Sequence, residues 1–289
     1  MDTIWTDYRD QRLHEIPPNG QGLAALLALQ TLRHSPLAAS RIDSAEFLHF
    51  QIEAMKLALA DAHRYVSDPH HMDTRVDALL DDGYARGRAK LIDPNRATVA
   101  AHGVPKRGDT VYLAAADRDG RMVSFIQSNY FGFGSGVVVP GTGIALQNRG
   151  AGFTLEDNHP NQVGPRKRPF HTIIPAFVTG ADGSPLMSFG VMGGPMQAQG
   201  HVQMLVRVFG FGQNPQTASD APRWQVTRGL EVLVERGFAP DVLDELDARG
   251  HDIQPAEPEH FGGAQLIYKV DDGYLAASDH RKDGQAVGF

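Results

Sequence analysis

The stretch Gly108-Asp-Thr-Val-Tyr-Leu-Ala-Ala-Ala-Asp-Arg-Asp-Gly-Arg-Met-Val-Ser-Phe-Ile-Gln-Ser128 decides the fold of this chain, because its pattern is that of a β-hairpin. Residues 110–116 and 122–128 are short, apolar and partly alternating, and Asp117-Arg-Asp-Gly120 between them is turn chemistry. Thr110 opens the hairpin and is the first candidate nucleophile. Its hydroxyl needs a base, and its own α-amine, titrating at about 7.7 to 8.0, suits that task near neutral pH. The amine is free only after cleavage between Asp109 and Thr110.

The first 100 residues are predicted to be mostly helical. A helix over residues 20–33 follows Pro17-Pro18-Asn19-Gly20, which is a helix-start signal. A second helix begins at Asp43, with Glu46 as its capping-box partner and apolar residues along one face. A third helix is predicted over residues 77–91.

Beyond residue 108 the hydrophobic period changes from that of a helix to that of a strand. Two further hairpins are predicted, over residues 172–179 with 186–190 and over residues 264–270 with 274–278. Helices over residues 196–209 and 239–250 lie between them. Strand pairs with antiparallel neighbours, interrupted by helices, indicate an α+β architecture in which sheets are sandwiched between helices.

Composition excludes several classes of function. With 289 residues, 42% of them hydrophobic, the chain can bury a large core as one large domain or two small ones. The formal net charge of −7 argues against a nucleic-acid partner, and the one basic cluster, Arg166-Lys167-Arg168, is expected to be solvated or ion-paired. There is no cysteine, no apolar run that could span a membrane, and no leader pattern at the N-terminus. We therefore expect a soluble, cytoplasmic chain without a membrane partner.

Val191-Met-Gly-Gly-Pro195 is the sharper of two glycine-rich loops, the other being Phe131-Gly-Phe-Gly-Ser-Gly136. It lies between a predicted strand and a predicted helix. Gly193 and Gly194 let the backbone approach a ligand closely, and N–H groups at a helix N-terminus stabilise the negative charge of a tetrahedral oxyanion. Neither loop matches a nucleotide-binding pattern. A plain tight turn is the alternative interpretation of each loop.

Six motifs follow one another along the chain: Thr110-Val-Tyr, Asp117-Arg-Asp-Gly120, Phe133-Gly-Ser-Gly-Val-Val-Val-Pro-Gly-Thr-Gly143, Asn148-Arg149, Pro165-Arg-Lys-Arg-Pro-Phe-His-Thr172 and Met192-Gly-Gly194. In this order and spacing they resemble the γ-glutamyltransferase (γ-glutamyltranspeptidase) family. Glu15-Ile-Pro-Pro18 and Tyr65-Val-Ser-Asp-Pro69 resemble the end of the family's large subunit, and residues 278–284 resemble the end of its small subunit. The two parts, residues 1–109 and 110–289, are expected to form one composite domain.

This resemblance implies an N-terminal-nucleophile hydrolase with a four-layer αββα fold, lacking part of the usual large subunit, that cleaves itself between Asp109 and Thr110. It assigns the nucleophile to Thr110 and the oxyanion hole to Gly193 and Gly194. It places Ser128 beside the nucleophile as an orienting hydroxyl. An acyl-enzyme formed from a small amide would then be resolved by water or by an amine.

Departures from the family pattern fall in the substrate pocket. Where the family binds the α-amino group of a glutamyl substrate with an acidic residue, this chain has Gly152. Tyr130 replaces an asparagine, and His171-Thr172 replaces a serine pair. We expect Tyr130, Arg149, His171 and Thr172 to contact the substrate, with packing as the alternative for the histidine and a structural salt bridge as the alternative for the arginine. The pattern is closest to acylase-like and oxamate amidohydrolase-like members.

The predicted function is hydrolysis of, or acyl transfer from, a γ-glutamyl or related small amide, as in glutathione metabolism. Two alternatives stay open: an oxamate or glutaryl amide hydrolase, and a truncated or unprocessed homologue without catalysis. No cofactor or metal is expected, because His70-His71 with Asp68 and Asp73 lacks the spacing of a metal site. Because the family's long upstream segment is missing, we expect an exposed apolar surface where it packs, which a second chain can cover.

Overall fold

A computed structural model describes residues 2–103 and 109–289, although not the side chains of residues 100–103 and 109. Gly108, on the upstream side of the predicted cleavage site, therefore lies outside the described residues. The strands are β1 (Ile4–Tyr8), β2 (Gln11–Glu15), β3 (Ala100–Gly103), β4 (Asp109–Ala116), β5 (Met122–Tyr130), β6 (Ala176–Gly180), β7 (Pro185–Met192), β8 (Trp224–Gly229), β9 (Glu231–Val234), β10 (Asp252–Pro255), β11 (Gly263–Val270) and β12 (Gly273–Ser278). The α-helices are α1 (Gly22–Arg33), α2 (Ala45–Tyr65), α3 (Val76–Leu79), α4 (Asp82–Ala89), α5 (Met196–Leu205), α6 (Pro215–Asp220) and α7 (Pro240–Ala248).

The largest sheet has six strands in the order β1-β2-β6-β7-β11-β12, and every neighbouring pair is antiparallel. Two of these pairs, β6 with β7 and β11 with β12, correspond to hairpins predicted from the sequence. The pair of β1 and β2 does not, because each strand has only five residues and β2 has a single apolar one, Leu13. This hairpin lies within the part of the chain that was predicted to be mostly helical. The sheet thus joins strands from both sides of residue 109.

The hairpin that contains Thr110 forms a separate two-stranded sheet, β4 with β5. One face packs on β7, where the Tyr112 hydroxyl lies 3.3 Å from the hydroxyl of Ser188. A Cβ atom on Gly190 would lie 2.4 Å from the Tyr112 ring, so only glycine fits there. The opposite face has apolar side chains that are 46% to 63% exposed, namely Val111, Leu113, Val123 and Phe125. This sheet therefore has an exposed apolar face.

A third sheet has four strands in the order β10-β9-β8-β3. Strands β9 and β10 are parallel, and α7 forms the crossover between them. The prediction that adjacent strands are antiparallel is wrong for this pair. Helix α2 packs against β3 and β8, so this sheet is attached to the helices rather than to the six-stranded sheet.

Helices α1 and α5 cover the face of the six-stranded sheet that points away from β4. A Cβ atom on Gly200 of α5 would meet the Val191 side chain of β7, whereas Tyr112 meets the neighbouring Gly190 from the other side. Helix α1 is buried along nearly its whole length, since α2 packs on its outer side. Helix layer, six-stranded sheet and two-stranded sheet form three successive layers. None of the helices in residues 2–103 and 109–289 has the length and apolarity to cross a membrane.

Several helix boundaries differ from the sequence prediction. Helix α1 begins at Gly22, two residues after the predicted start. Helix α2 is capped by Ser44, whose hydroxyl accepts from the Phe47 N–H, rather than by Asp43, whose carboxylate pairs with Arg207. The predicted third helix is divided into α3 and α4, because a new cap at residue 81 starts α4.

Candidate active site

Thr110 lies at a bulge between β4 and β5. Ladder pairs on either side leave Thr110 opposite two residues of β5, Ser128 and Asn129. An extra residue in one strand bends it and re-aims the side chains around it, and such bulges are common beside active sites. Ser128, the predicted orienting hydroxyl, is thus placed on the strand adjacent to the predicted nucleophile.

The Thr110 side chain faces the six-stranded sheet. It precedes Tyr112 by two residues, and residues i and i+2 of a strand point to the same face, which for Tyr112 is the face packed on β7. Thr110 and Met192, the last residue of β7, line one cavity of about 420 Å³. Gln265 and Lys282, which the sequence did not single out, line the same cavity. The cavity therefore connects the predicted nucleophile with the end of the strand that leads into the glycine pair.

Gly193 and Gly194 form the turn between β7 and α5. Their φ angles are 115° and 60°, in the region that favours glycine. The carbonyl oxygens of the two glycines accept hydrogen bonds from the N–H groups of Met196 and Gln197, which attaches the turn to the start of α5. The positive end of the helix dipole lies here, so the position suits a developing negative charge.

Arg149 binds Ser128 rather than an acidic side chain. Its Nη2 atom donates to the Ser128 hydroxyl at 2.6 Å and to the Ser128 carbonyl at 3.3 Å. The guanidinium carbon lies 5.4 Å from the ring centroid of Tyr130, within cation–π range. Arg149 is only 9% exposed, and its Nη1 atom has no hydrogen-bond partner within the described part of the chain. A buried guanidinium with one unused edge can bind an anion.

A second cavity, of about 220 Å³, is lined by three residues from the predicted substrate pocket, Tyr130, Gly152 and Thr172. His63 and Phe170 also line it, and neither was predicted from the sequence. The cavity lies next to the Arg149–Tyr130 pair because Tyr130 belongs to both. Two of the four predicted substrate contacts, Tyr130 and Thr172, thus line this cavity.

His171 is adjacent in sequence to this cavity but does not line it. Burial, together with the charges of Arg149 and Arg168, lowers the pKa of the His171 ring to about 4. The ring is therefore neutral at pH 7, and its Nδ1 atom is buried without a partner among residues 2–103 and 109–289. A neutral imidazole can donate or accept one hydrogen bond there, but it supplies no positive charge.

Gly152 cannot carry a side chain without movement of the backbone. A Cβ atom at this position would lie 2.2 Å from the carbonyl oxygen of Phe170. The Asn161 carboxamide holds the two segments together, donating to the Gly152 carbonyl at 2.6 Å and accepting from the Phe170 N–H at 2.9 Å. A neighbouring segment thus leaves no room for a side chain at Gly152, the position where the family pattern has an acidic residue.

The acidic residues near His70-His71 are paired with arginines. Asp68 binds Arg168, and Asp73 binds Arg64. The Asp68 carboxylate is buried and also accepts from the backbone N–H groups of His70 and Arg168. Both carboxylates are thus paired with arginine side chains.

Comparison with known proteins decides the family, since the family model for gamma-glutamyltranspeptidase matches residues 1–289. The chain belongs to the γ-glutamyltranspeptidase family. The resemblance inferred from the motifs is therefore confirmed. The roles of individual site residues and the division at residue 109 stay predictions.

Relatives within the γ-glutamyltranspeptidase family differ in their names. The chain is 38% identical to the glutathione hydrolase-like YwrD proenzyme of Bacillus subtilis, covering 99% of this chain and 55% of that protein. It is 36% identical to the oxamate amidohydrolase proenzyme of Klebsiella pneumoniae, covering 96% of this chain and 53% of that protein. The chain thus spans about half the length of the curated relatives it matches.

A solved structure of cephalosporin acylase from Bacillus halodurans is 51% identical to the chain and superposes with a TM-score of 0.91. The match covers 98% of this chain and 52% of that one. This similarity confirms the predicted N-terminal-nucleophile hydrolase fold of the γ-glutamyltranspeptidase family. The three layers described above belong to its αββα sandwich.

A buried polar cluster that the sequence analysis missed lies apart from the family's nucleophile, where α2 meets residues 93–98 and the end of α7. His49, Glu53 and His251 offer ligand atoms within 4.8 Å of one another, as in a candidate metal site. However, the Lys56 ammonium fills the place of a cation, with Nζ 2.8 Å from a Glu53 oxygen and 3.3 Å from His251 Nδ1. The cluster is therefore neutralised by the chain itself. The spacing His49-x₃-Glu53-x₂-Lys56 on one helix face was the available signal.

The hydrogen bonds of this cluster fix the protonation of both histidines. Because Lys56 donates to His251 Nδ1, His251 Nε2 carries the proton and donates to His49 Nδ1 at 2.8 Å. His49 Nε2 then donates to the Asp93 carbonyl at 2.8 Å. Burial lowers the pKa of both rings, that of His251 to about 2. Both histidines are neutral in the folded protein.

We expect the free energy of unfolding to fall as pH drops below about 6.5, the pKa of an unfolded histidine. Below this pH the unfolded chain binds a proton that folded His251 does not, which costs on the order of 1.4 kcal/mol per pH unit, and the lowered pKa of His49 acts in the same direction. Urea unfolding between pH 5 and 8 measures the slope. Burial raises the pKa of Glu15, which contributes with the opposite sign, so the test is the difference from His251→Gln. An unchanged slope in this variant would contradict the assignment.

Proposed function

We propose that the chain is the catalytic portion of an autoprocessed amide hydrolase or acyl transferase whose nucleophile is Thr110. The observation that carries this proposal is the position of Thr110 at the bulge, with Ser128 on the adjacent strand and with the cavity that leads to Met192 and the glycine pair. A threonine with a purely structural role at the start of a strand would need neither Ser128 nor this cavity beside it. The family's proenzyme members support the same assignment.

Each group at the site has a chemical role in this proposal. The free amine of Thr110 accepts the hydroxyl proton as the oxygen attacks the amide carbonyl. The N–H groups of Gly193 and Gly194 stabilise the oxyanion of the tetrahedral intermediate. When the intermediate collapses, the carbon–nitrogen bond breaks, the proton passes to the leaving amine, and an ester to Thr110 remains. Water or a second amine then cleaves the ester and restores the hydroxyl.

Ser128 orients this nucleophile by donating its hydroxyl hydrogen to Thr110. The Arg149 guanidinium donates to the Ser128 oxygen, so the Ser128 hydrogen is free to point to Thr110 across the bulge. A charged donor also makes that hydrogen more acidic and strengthens the bond it forms. Arg149 therefore acts on the nucleophile through Ser128.

The acyl group is proposed to occupy the 220 Å³ cavity beside Tyr130 and Thr172. The unused Nη1 atom of Arg149 makes a carboxylate on the acyl chain favourable, as in a γ-glutamyl or related small amide. The closed position at Gly152 favours a second candidate class, in which the acyl group carries a carboxylate but no α-ammonium group. Glutaryl amides and oxamate belong to this class, and the relatives include an oxamate amidohydrolase and a cephalosporin acylase.

A substrate panel tests the proposed activity, and N-terminal sequencing tests whether the chain is cleaved. N-terminal sequencing should find a fragment that begins at Thr110, and turnover should appear with γ-glutamyl anilide, glutathione, glutaryl anilide or oxamate. Arg149→Met should raise KM for the substrates that carry an acyl carboxylate. An intact chain of 31.4 kDa without turnover would instead identify a non-catalytic homologue.

The exposed outer face of the two-stranded sheet is proposed to be covered by further polypeptide in the active protein. The relatives are about twice as long as the chain, and this face has four large apolar side chains in solvent. The chain has no cysteine, so a single Leu113→Cys thiol reports on this face alone. It should react with a maleimide in the isolated chain and be protected in the assembled protein. A Val270→Cys thiol, 44% exposed before substitution, is the control that should react in both.

A further inference from the structure

Gln21 donates the two hydrogens of its side-chain amide to backbone carbonyls of two separate segments. Its Nε2 atom donates to the Thr172 carbonyl at 2.7 Å and to the Gly194 carbonyl at 2.9 Å. Its backbone N–H donates to the His171 carbonyl at 3.0 Å. The residue is 2% exposed. One buried carboxamide therefore connects the glycine turn with the segment that borders the acyl cavity.

The side chain of Gln21 is not used for its own helix. Gln21 occupies the cap position of α1, where a side chain usually accepts a backbone N–H bond, yet it makes no such bond. The void beside it, lined also by Thr172 and Pro195, measures about 10 Å³, which is at the lower limit for one water molecule. A water therefore has little room to replace the carboxamide if the side chain is shortened.

The Gly194 carbonyl is the contact through which Gln21 acts on the glycine turn. This oxygen accepts from the Gln197 N–H as well as from Gln21, and two donors fix its direction more tightly than one. Since Gly194 has a φ of 60° and no side chain, its backbone has freedom that these bonds must remove. This carbonyl belongs to the Gly194–Pro195 peptide, so fixing its direction restrains the ψ angle of Gly194, next to the peptide that carries the Gly194 N–H.

We infer that Gln21 is a positioning residue that holds the oxyanion turn and the acyl-binding segment in register with each other. This inference rests on the proposed function. Loss of the amide would free the Gly194 carbonyl on one side and leave the Thr172 carbonyl without this donor on the other. An enzyme with a displaced oxyanion hole binds substrate but stabilises the transition state less well.

Gln21→Met tests the inference, because methionine keeps the length of the side chain and removes both donors. Gln51→Met is the matched control: Gln51 is 1% exposed, and its carboxamide donates to the Phe47 carbonyl within α2. Two measurements are made on both variants, namely kcat and KM with the substrate found in the panel, and hydrogen–deuterium exchange of peptides spanning residues 169–174 and 191–197. Thermal unfolding shows whether each variant is folded.

We expect Gln21→Met to lower kcat by roughly 10-fold or more, with a smaller change in KM, and to speed exchange in both peptides. Gln51→Met should lose stability by a similar amount and keep wild-type kcat and exchange at these segments. Unchanged kcat in Gln21→Met, or unchanged exchange in either peptide, would overturn the inference while leaving the proposed function intact. If the wild type has no amide turnover, the proposed function fails, and unaltered exchange in either peptide would still overturn the coupling.

Discussion

Alanine at position 110 should leave the protein uncut after Asp109 and lower amide turnover by on the order of 10⁴-fold or more. The expected loss is large because the hydroxyl attacks in both reactions, first the peptide bond before Thr110 and then the substrate amide. A free amine without this hydroxyl is a base with nothing to activate. Intact mass, N-terminal sequencing and initial rates measure the two losses in one preparation.

Thr110→Ser provides the matched control, since it retains the hydroxyl and, once cut, the α-amine. It should still cleave and turn over, at a reduced rate, because removal of the methyl group loosens the rotamer of the side chain. Robust turnover by Thr110→Ala would refute the assignment of the nucleophile. Cleavage without turnover in the serine variant would separate processing from catalysis and place the defect in the substrate step.

Replacing Gly193 with alanine should lower kcat by on the order of 10²- to 10³-fold, with little effect on KM. At its φ of 115° an L-residue is strained, and its Cβ would lie 3.0 Å from the Cα of Gly262. The peptide has to rotate, which moves the N–H groups away from the oxyanion position. Steady-state kinetics on the cleaved protein measures the effect.

Gly183→Ala is the control for backbone strain alone. Gly183 lies in the hairpin turn between β6 and β7 and has a φ of 82°, and a Cβ atom added there would meet no described atom within 4 Å. This variant should lose stability through its unfavourable φ but keep kcat. Equal stability losses with wild-type kcat in both variants would favour the interpretation of the Gly193 loop as a plain tight turn.

The parts of the fold that could be predicted are those whose contacts join residues close together in the sequence. The hairpin of β4 and β5 is joined by Asp117-Arg-Asp-Gly120, so its turn and its two strands are encoded within residues 109–130. The sheet that joins β1 and β2 to β6 is not encoded in this way, because the pairing of Leu13 with Val178 spans most of the chain. The parallel pairing of β9 with β10 could not be predicted from local sequence either, because a helix separates the two strands.

The candidate site divides in a similar way. Thr110, Gly193 and Gly194 lie in short motifs with chemistry that can be recognised one residue at a time. Gln21 and Lys56 cannot be recognised one residue at a time, because their roles depend on partners that only folding brings close to them. Gln21 reaches across 151 and 173 residues to its two carbonyls, and Lys56 meets His251 across 195 residues. For Gln21 no local pattern indicates burial, whereas for Lys56 the spacing with His49 and Glu53 on one helix face was the one available signal.

The six-stranded sheet contains strands from both sides of residue 109, with β2 hydrogen-bonded to β6. Once the bond before Thr110 is cut, two polypeptides remain interleaved in one sheet and cannot part without breaking it. Complete unfolding then becomes dissociation, and recovery becomes an encounter of two molecules that depends on concentration, whereas the uncut chain refolds alone. The stability of the uncut chain is an equilibrium free energy of unfolding. After cleavage, the lifetime of the folded protein depends instead on the height of its unfolding barrier.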